Sequence, residues 1–229
     1  MKSGLTALVM LLTCQSTLAA PAQPTQSPQP AQSPQPAQSP QPASAQPASG
    51  QPASAQSAKP AAFKAGVFDP PRMAPHFVLK GSNGQDLRID QFTGKVVLLA
   101  FGFTSCTAVC PTTLNTLAVT RRKLGTDAKD VQIVYITVDP DRDDTARLKK
   151  YLGSFDATFV GGTGSPAELA AVRKDYGISA ERQLVGKDYT FSHSSFVYLI
   201  DRKGRIRALM PYGHGAEDYV NDLSILLRE

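Results

Sequence analysis

The stretch Val96-Val-Leu-Leu-Ala-Phe-Gly-Phe-Thr-Ser-Cys106-Thr-Ala-Val-Cys110-Pro-Thr-Thr113 decides the fold. Its first half is a near-continuous apolar run, the pattern of a strand buried on both faces in a parallel sheet. Its second half leads into a helix over Pro111–Leu124, with Pro111 suited to the first helical position and Leu114, Leu117 and Leu124 on one side. Cys106 and Cys110 therefore sit where a buried strand turns into a helix. The first turn of a helix has unpaired N–H groups and a positive partial charge, which stabilise a thiolate. A thiolate is both the nucleophile of redox chemistry and a ligand for soft metals, and the residues leave both uses open.

Outward from this stretch, Phe77–Lys80 and Gln85–Ile89 flank Asn83-Gly84, which predicts a two-residue hairpin. Val131–Val138 predicts a second buried strand. Asp139–Asp144 is an acidic loop in which Asp143 or Asp144 caps a helix ending near Leu152. A short strand is expected at Thr158–Val160 and a turn at Gly161–Gly164. A helix follows over Ser165–Tyr176, with Ser165 as N-cap, Pro166 first and Glu168 closing a capping box. Phe196–Asp201 and Arg205–Leu209 form a hairpin across Arg202-Lys203-Gly204, and a last helix runs over about Ala216–Leu227. This order predicts an α/β thioredoxin-like fold: a central mixed sheet, helices on both faces, an added N-terminal hairpin, and the cysteines at the C-terminal end of the first core strand.

Not all 229 residues can build that core. Lys2, the apolar run Leu5–Leu12 and the small residues up to Ala20 read as a secretory signal, too short for a membrane span. Two exits are open: lipidation of Cys14 in Leu11-Leu12-Thr13-Cys14, or cleavage near Ala19. Both place the protein outside the cytoplasm, in the periplasm or on the outer face of the inner membrane. Residues 21–60 hold 11 of the 18 prolines, repeat Gln-Ser-Pro-Gln-Pro-Ala from positions 26, 32 and 38, and contain no aromatic, Leu, Ile or Val. Such a segment buries nothing and reads as a semi-extended tether. Residues 61–229 form one domain with all 19 acidic residues and 22 of the 24 basic ones. That mild excess, without long basic runs, argues against a nucleic-acid partner.

The run Phe101-Gly-Phe-Thr-Ser-Cys-Thr-Ala-Val-Cys-Pro-Thr-Thr-Leu114, the loop Val138-Asp-Pro-Asp-Arg-Asp143, and His193 before Phe196-Val-Tyr-Leu-Ile-Asp201 resemble the Sco/SenC family over roughly residues 66–229. These are copper-binding thioredoxin-fold proteins that serve cytochrome oxidase assembly. Two departures are visible. The family commonly has Cys-Pro-Asp-x-Cys, where Thr107, Ala108 and Val109 stand here, and often an Asp before the histidine, where Ser192 stands. The resemblance implies copper, Cu(I) or Cu(II), as the metal, with Cys106, Cys110 and His193 as ligands; Asp139, which ends a strand beside the one carrying the cysteines, is expected in a supporting or partner-docking role.

Two thiolates and an imidazole suit Cu(I), whereas a closed zinc site needs four protein ligands. On this reading the chain is a metallochaperone whose partner is a copper-containing cytochrome oxidase subunit, with a copper donor protein and a thiol reductant on the supply side. The alternative is an exported thiol–disulfide oxidoreductase, in which Cys106 attacks and Cys110 resolves. A structural disulfide across so short a loop would be an odd staple. His76 and His214 read as surface residues, Met73 and Met210 as filler, and Asp141, Asp143 and Asp144 as a solvated cap. A peroxidase reading is weaker, since no Pro precedes Thr107 as the peroxiredoxin Thr-x-x-Cys pattern requires.

Overall fold

The computed structural model describes residues 62–229. The leader with Cys14 and the proline-rich tether lie outside the described residues. In chain order the elements are β1 (Gly66–Met73), β2 (Val78–Gly81), β3 (Asp86–Arg88), β4 (Val96–Gly102), α1 (Val109–Leu124), β5 (Val131–Thr137), α2 (Thr145–Gly153), β6 (Val160–Thr163), α3 (Pro166–Tyr176), β7 (Ala180–Val185), β8 (Asp188–His193), β9 (Phe196–Ile200), β10 (Arg205–Pro211) and α4 (Ala216–Leu227). Eight strands make one mixed sheet in the order β1-β10-β9-β4-β5-β6-β2-β3, and β7 and β8 pair apart from it. β4 runs parallel to β5, and β5 to β6. On its other side β4 pairs antiparallel with β9, with Ala100 opposite Val197.

All seven residues of β4 are buried, because both faces of the sheet are covered. Val96, Leu98 and Ala100 join Leu114 and Leu117 of α1, Leu148 and Leu152 of α2, and Leu223 and Leu226 of α4. The alternate residues Val97, Leu99 and Phe101 join Leu169, Val172 and Tyr176 of α3. The period of two along a strand produces this division. Each such fully buried aliphatic side chain contributes about 1.5–3 kcal/mol, which is why the apolar runs dominate the fold. α3 begins with the expected capping box, Ser165 accepting from the Glu168 amide and the Glu168 carboxylate from the Ser165 amide.

Several expectations need correction. α1 starts at Val109, two residues before Pro111, so Cys110 lies inside its first turn. The hairpin between β2 and β3 turns over three residues, with Gly81 N–H donating to the Gln85 carbonyl at 2.8 Å and Gly84 at φ +83°. Gly161 and Gly162 belong to strand β6 rather than to a turn. Their missing side chains admit neighbours: a Cβ would come within 2.8 Å of Leu152 at Gly161 and 2.7 Å of Leu87 at Gly162. Strands β1, β7 and β8 have no counterpart in the sequence reading.

Candidate metal centre

The site is built where the C-terminal ends of β4 and β5 meet the start of β9. Phe103 through Ala108 link β4 to α1, and Cys106 turns back toward the helix, where its sulfur accepts the Cys110 amide at 3.4 Å. The N-cap residue, Ala108, has no side chain to offer. Cys106 Sγ takes over that task, satisfying one of the orphan donors of the first turn. Its thiol pKa is pushed down, first by the hydrogen bond from the Cys110 thiol, then by His193 and the Cys110 and Ala108 amides, against the opposing effect of burial. Cys110 moves the other way, because it gives that bond and is buried. Both cysteines are free, so the structural disulfide is not formed here.

His193 arrives from the far side as the last residue of β8. Tyr189, Phe191 and His193 alternate onto one face of that strand. Phe103 packs edge-on against both the Phe191 and His193 rings, at centroid distances of 5.7 and 5.8 Å. His193 Nδ1 lies 2.8 Å from the Ser194 carbonyl, and a carbonyl only accepts, so Nδ1 carries the proton. Nε2 faces Cys110 Sγ at 3.5 Å, and in the neutral ring with that tautomer it keeps the lone pair a metal needs. Two ligands bound about 2.0–2.3 Å from one ion stand roughly 3.5–4 Å apart, so this pair is spaced for sharing a metal. Among the described residues no group of three or more His, Cys, Asp or Glu side chains is preformed as a complete metal site. Cys106, partly exposed on the loop, already has its sulfur in hydrogen-bonding contact with Cys110 and His193, so the three donors lie side by side.

Asp139 is fully buried. Its carboxylate accepts from Tyr189 Oη at 2.9 Å and from Arg142 Nε. Arg142 also donates to the Tyr189 carbonyl at 3.1 Å and lies over the Tyr189 ring at 3.8 Å, with Arg182 also over that ring at 4.0 Å. Asp139 thus ties the hairpin that carries His193 to the end of β5, rather than facing solvent.

Three further residues shape the site in roles the sequence did not show, among them Asp143, which is buried rather than a solvated cap. The buried Asp143 carboxylate accepts from Thr104 N–H at 2.9 Å, Thr104 Oγ1 at 2.5 Å and Thr137 Oγ1 at 2.7 Å, fixing the loop before Cys106. Arg147 donates to Thr104 Oγ1 at 2.6 Å and Ser105 Oγ at 2.9 Å. Gly102 leaves room for the centre, since a Cβ there would overlap the Tyr135 hydroxyl and stand 2.8 Å from Cys110 Sγ. The other candidates lie elsewhere. Met210 is buried in the core and Met73 is exposed, while His214 pairs with Asp218 at 2.8 Å.

A thioredoxin-like sheet that presents a cysteine pair at a strand-to-helix turn, with an imidazole brought against it, defines the class. The SCO1/SenC family model matches residues 67–228, and the chain belongs to that family. A SCO2-like protein of Rickettsia felis is 36% identical over 140 residues, 60% of this chain and 68% of its own length. The copper-bound structure of Bradyrhizobium japonicum ScoI is 36% identical with a TM-score of 0.63, covering 67% of this chain and 99% of that one. BsSco, described as a member of the Sco family of cytochrome c oxidase assembly proteins and as having a disulfide switch, is 23% identical and shares the fold, with a TM-score of 0.57 over 71% of this chain and 98% of its own.

Proposed function

We propose that this chain carries one copper ion between Cys106, Cys110 and His193 and delivers it to the copper centre of a cytochrome oxidase. The observation that carries the reading is the convergence of Cys110 Sγ and His193 Nε2 at 3.5 Å from positions 83 residues apart. The donor set fits the cargo: two soft sulfurs and one imidazole whose free nitrogen is fixed in advance suit Cu(I), and Cu(II) with a further ligand or water. The partly exposed Cys106 is the ligand an incoming thiolate displaces first, while the buried Cys110, with His193, keeps hold of the ion until the second exchange. Copper then passes through shared ligation and is never free. That the related ScoI binds copper and that BsSco belongs to a family of oxidase assembly proteins supports this cargo and this recipient. The reading is tested by Cu(I) competition titrations of the reduced protein beside its His193→Ala, Cys106→Ser and Cys110→Ser variants. One copper per chain, weakened in every variant, is expected; affinity indifferent to His193 would overturn it.

A second reading rests on the opposed states of the two free thiols. In a thiol–disulfide exchange, the Cys106 thiolate attacks a partner disulfide and expels one partner thiolate, forming a mixed disulfide. Cys110 then loses its proton and attacks the Cys106 sulfur, releasing the reduced partner and leaving a Cys106–Cys110 disulfide for a reductant to reopen. Reductase turnover retained by Cys106→Ser would remove this role. For the setting, we propose an exported domain spanning residues 61–229 on the tether 21–60, either held through a lipidated Cys14 or released. The composition of the leader supports export, and among the described residues no helix is long and apolar enough to cross a membrane. Globomycin sensitivity of processing distinguishes the lipidated form from the cleaved one.

A further inference from the structure

Tyr135 stands in the middle of β5, opposite Ala100 of β4. It is 1% exposed, and its hydroxyl has no hydrogen-bond partner. Such a group is costly to bury and is normally paired. The hydroxyl is not aimed into packed hydrocarbon: it and Cys110 Sγ both press on the point where a Gly102 side chain would begin. Tyr135, Cys110 and His193 line one narrow pocket. A thiol sulfur is a weak acceptor for such a phenol. As a thiolate the same sulfur is a strong acceptor.

We propose that Tyr135 is a positioning residue for the copper centre, its hydroxyl donating a hydrogen bond to Cys110 Sγ when that sulfur binds the metal. This rests on the reading of Cys110 as a copper ligand. A hydrogen bond to a ligating thiolate withdraws electron density from the sulfur, weakening its donation to Cu(II) more than to Cu(I). Tyr135 therefore biases the centre toward the cuprous state. Neighbouring Tyr151, its ring centroid 6.4 Å from that of Tyr135, also has an unpaired buried hydroxyl but does not line this pocket.

Tyr135→Phe in the full chain is the test, since it removes one oxygen and keeps the ring. Loaded with Cu(II), the variant is expected to show its sulfur-to-copper charge-transfer band at lower energy than wild type. Its Cu(II)-to-Cu(I) affinity ratio rises about tenfold, equivalent to a midpoint roughly 59 mV lower for one electron. The metal-free variant melts no lower than wild type, because the oxygen removed was unpaired. In wild type alone, the copper–sulfur stretch shifts on transfer to D2O, and that shift shrinks in the variant. A band, midpoint and isotope shift identical in the two proteins would overturn the role of Tyr135 while leaving Cys110 a ligand. A wild-type protein that binds copper without a sulfur charge-transfer band would overturn both.

Discussion

Cys106 lies in the loop before α1 and Cys110 in its first turn, and hydrogen bonding and burial drive their thiols in opposite directions. An ordinary thiol of pKa 9.0 loses about 500-fold of its thiolate between pH 9 and pH 6. Cys106, held well below that value, stays thiolate throughout. Its alkylation by iodoacetamide is therefore expected to change little over this range, while Cys110 resists at both ends; mass mapping of the modified peptides checks this, and parallel pH profiles would contradict it. Asp143 acts on the same loop. Asp143→Ala strips partners from the Thr104 amide and from the Thr104 and Thr137 hydroxyls, at a cost of about 2–4 kcal/mol. Urea denaturation should show that loss, and Cys106 should lose part of its selectivity for alkylation. The pair Cys106 and Cys110 stood out because residue type and spacing advertise chemistry, whereas His193 was singled out through the family resemblance. Asp143 was not: beside Asp144, which caps α2 by accepting the Arg147 amide at 2.7 Å, it reads as another cap, and its partner Thr104 lies 39 residues away.

The hairpin of β7 and β8 decides where His193 goes, and it is held by a few contacts: Asp139 and Arg142 at Tyr189, Asp141 at Arg182, and Phe103 against Phe191. Little of it enters the core, and Leu184 at its tip is 84% exposed. Tyr189→Leu removes the hydroxyl and the ring on which the guanidinium groups sit, with cation–π contacts of about 0.5–2 kcal/mol each. Hydrogen exchange in residues 180–193 should then quicken roughly tenfold with the sheet's slow amides unchanged, and copper affinity should fall by less than in His193→Ala. Uniform loss of protection would mean that the hairpin is part of the global fold. Its existence was partly legible, since Gly186-Lys187 makes a two-residue loop between Val185 and Asp188, and Tyr189, Phe191 and His193 alternate beyond it. The polar β7 strand concealed it. β1 carries Pro70 and Pro71, which a central strand does not admit, and the sheet accommodates them on an edge, between the irregular register positions Val67 and Arg72.

The molecule gathers its chemistry at one end of the sheet. β4 and β5 are parallel, so the Cys106 loop and the Asp139–Asp143 loop leave from the same edge, and the antiparallel β9 starts there, bringing His193 within reach. That convergence was legible because continuous apolar runs identify the central strands, and a helix between two such runs makes them parallel. What the runs do not encode is which polar groups meet at the edge, since those contacts join segments tens of residues apart. The central claim is that Cys106, Cys110 and His193 bind copper together, and X-ray absorption at the copper edge on the Cu(I)-loaded protein tests it most directly. Two sulfur scatterers and one imidazole, with the imidazole signal absent from His193→Ala, is the predicted result; a copper shell unchanged by His193→Ala, or one lacking sulfur, would contradict it.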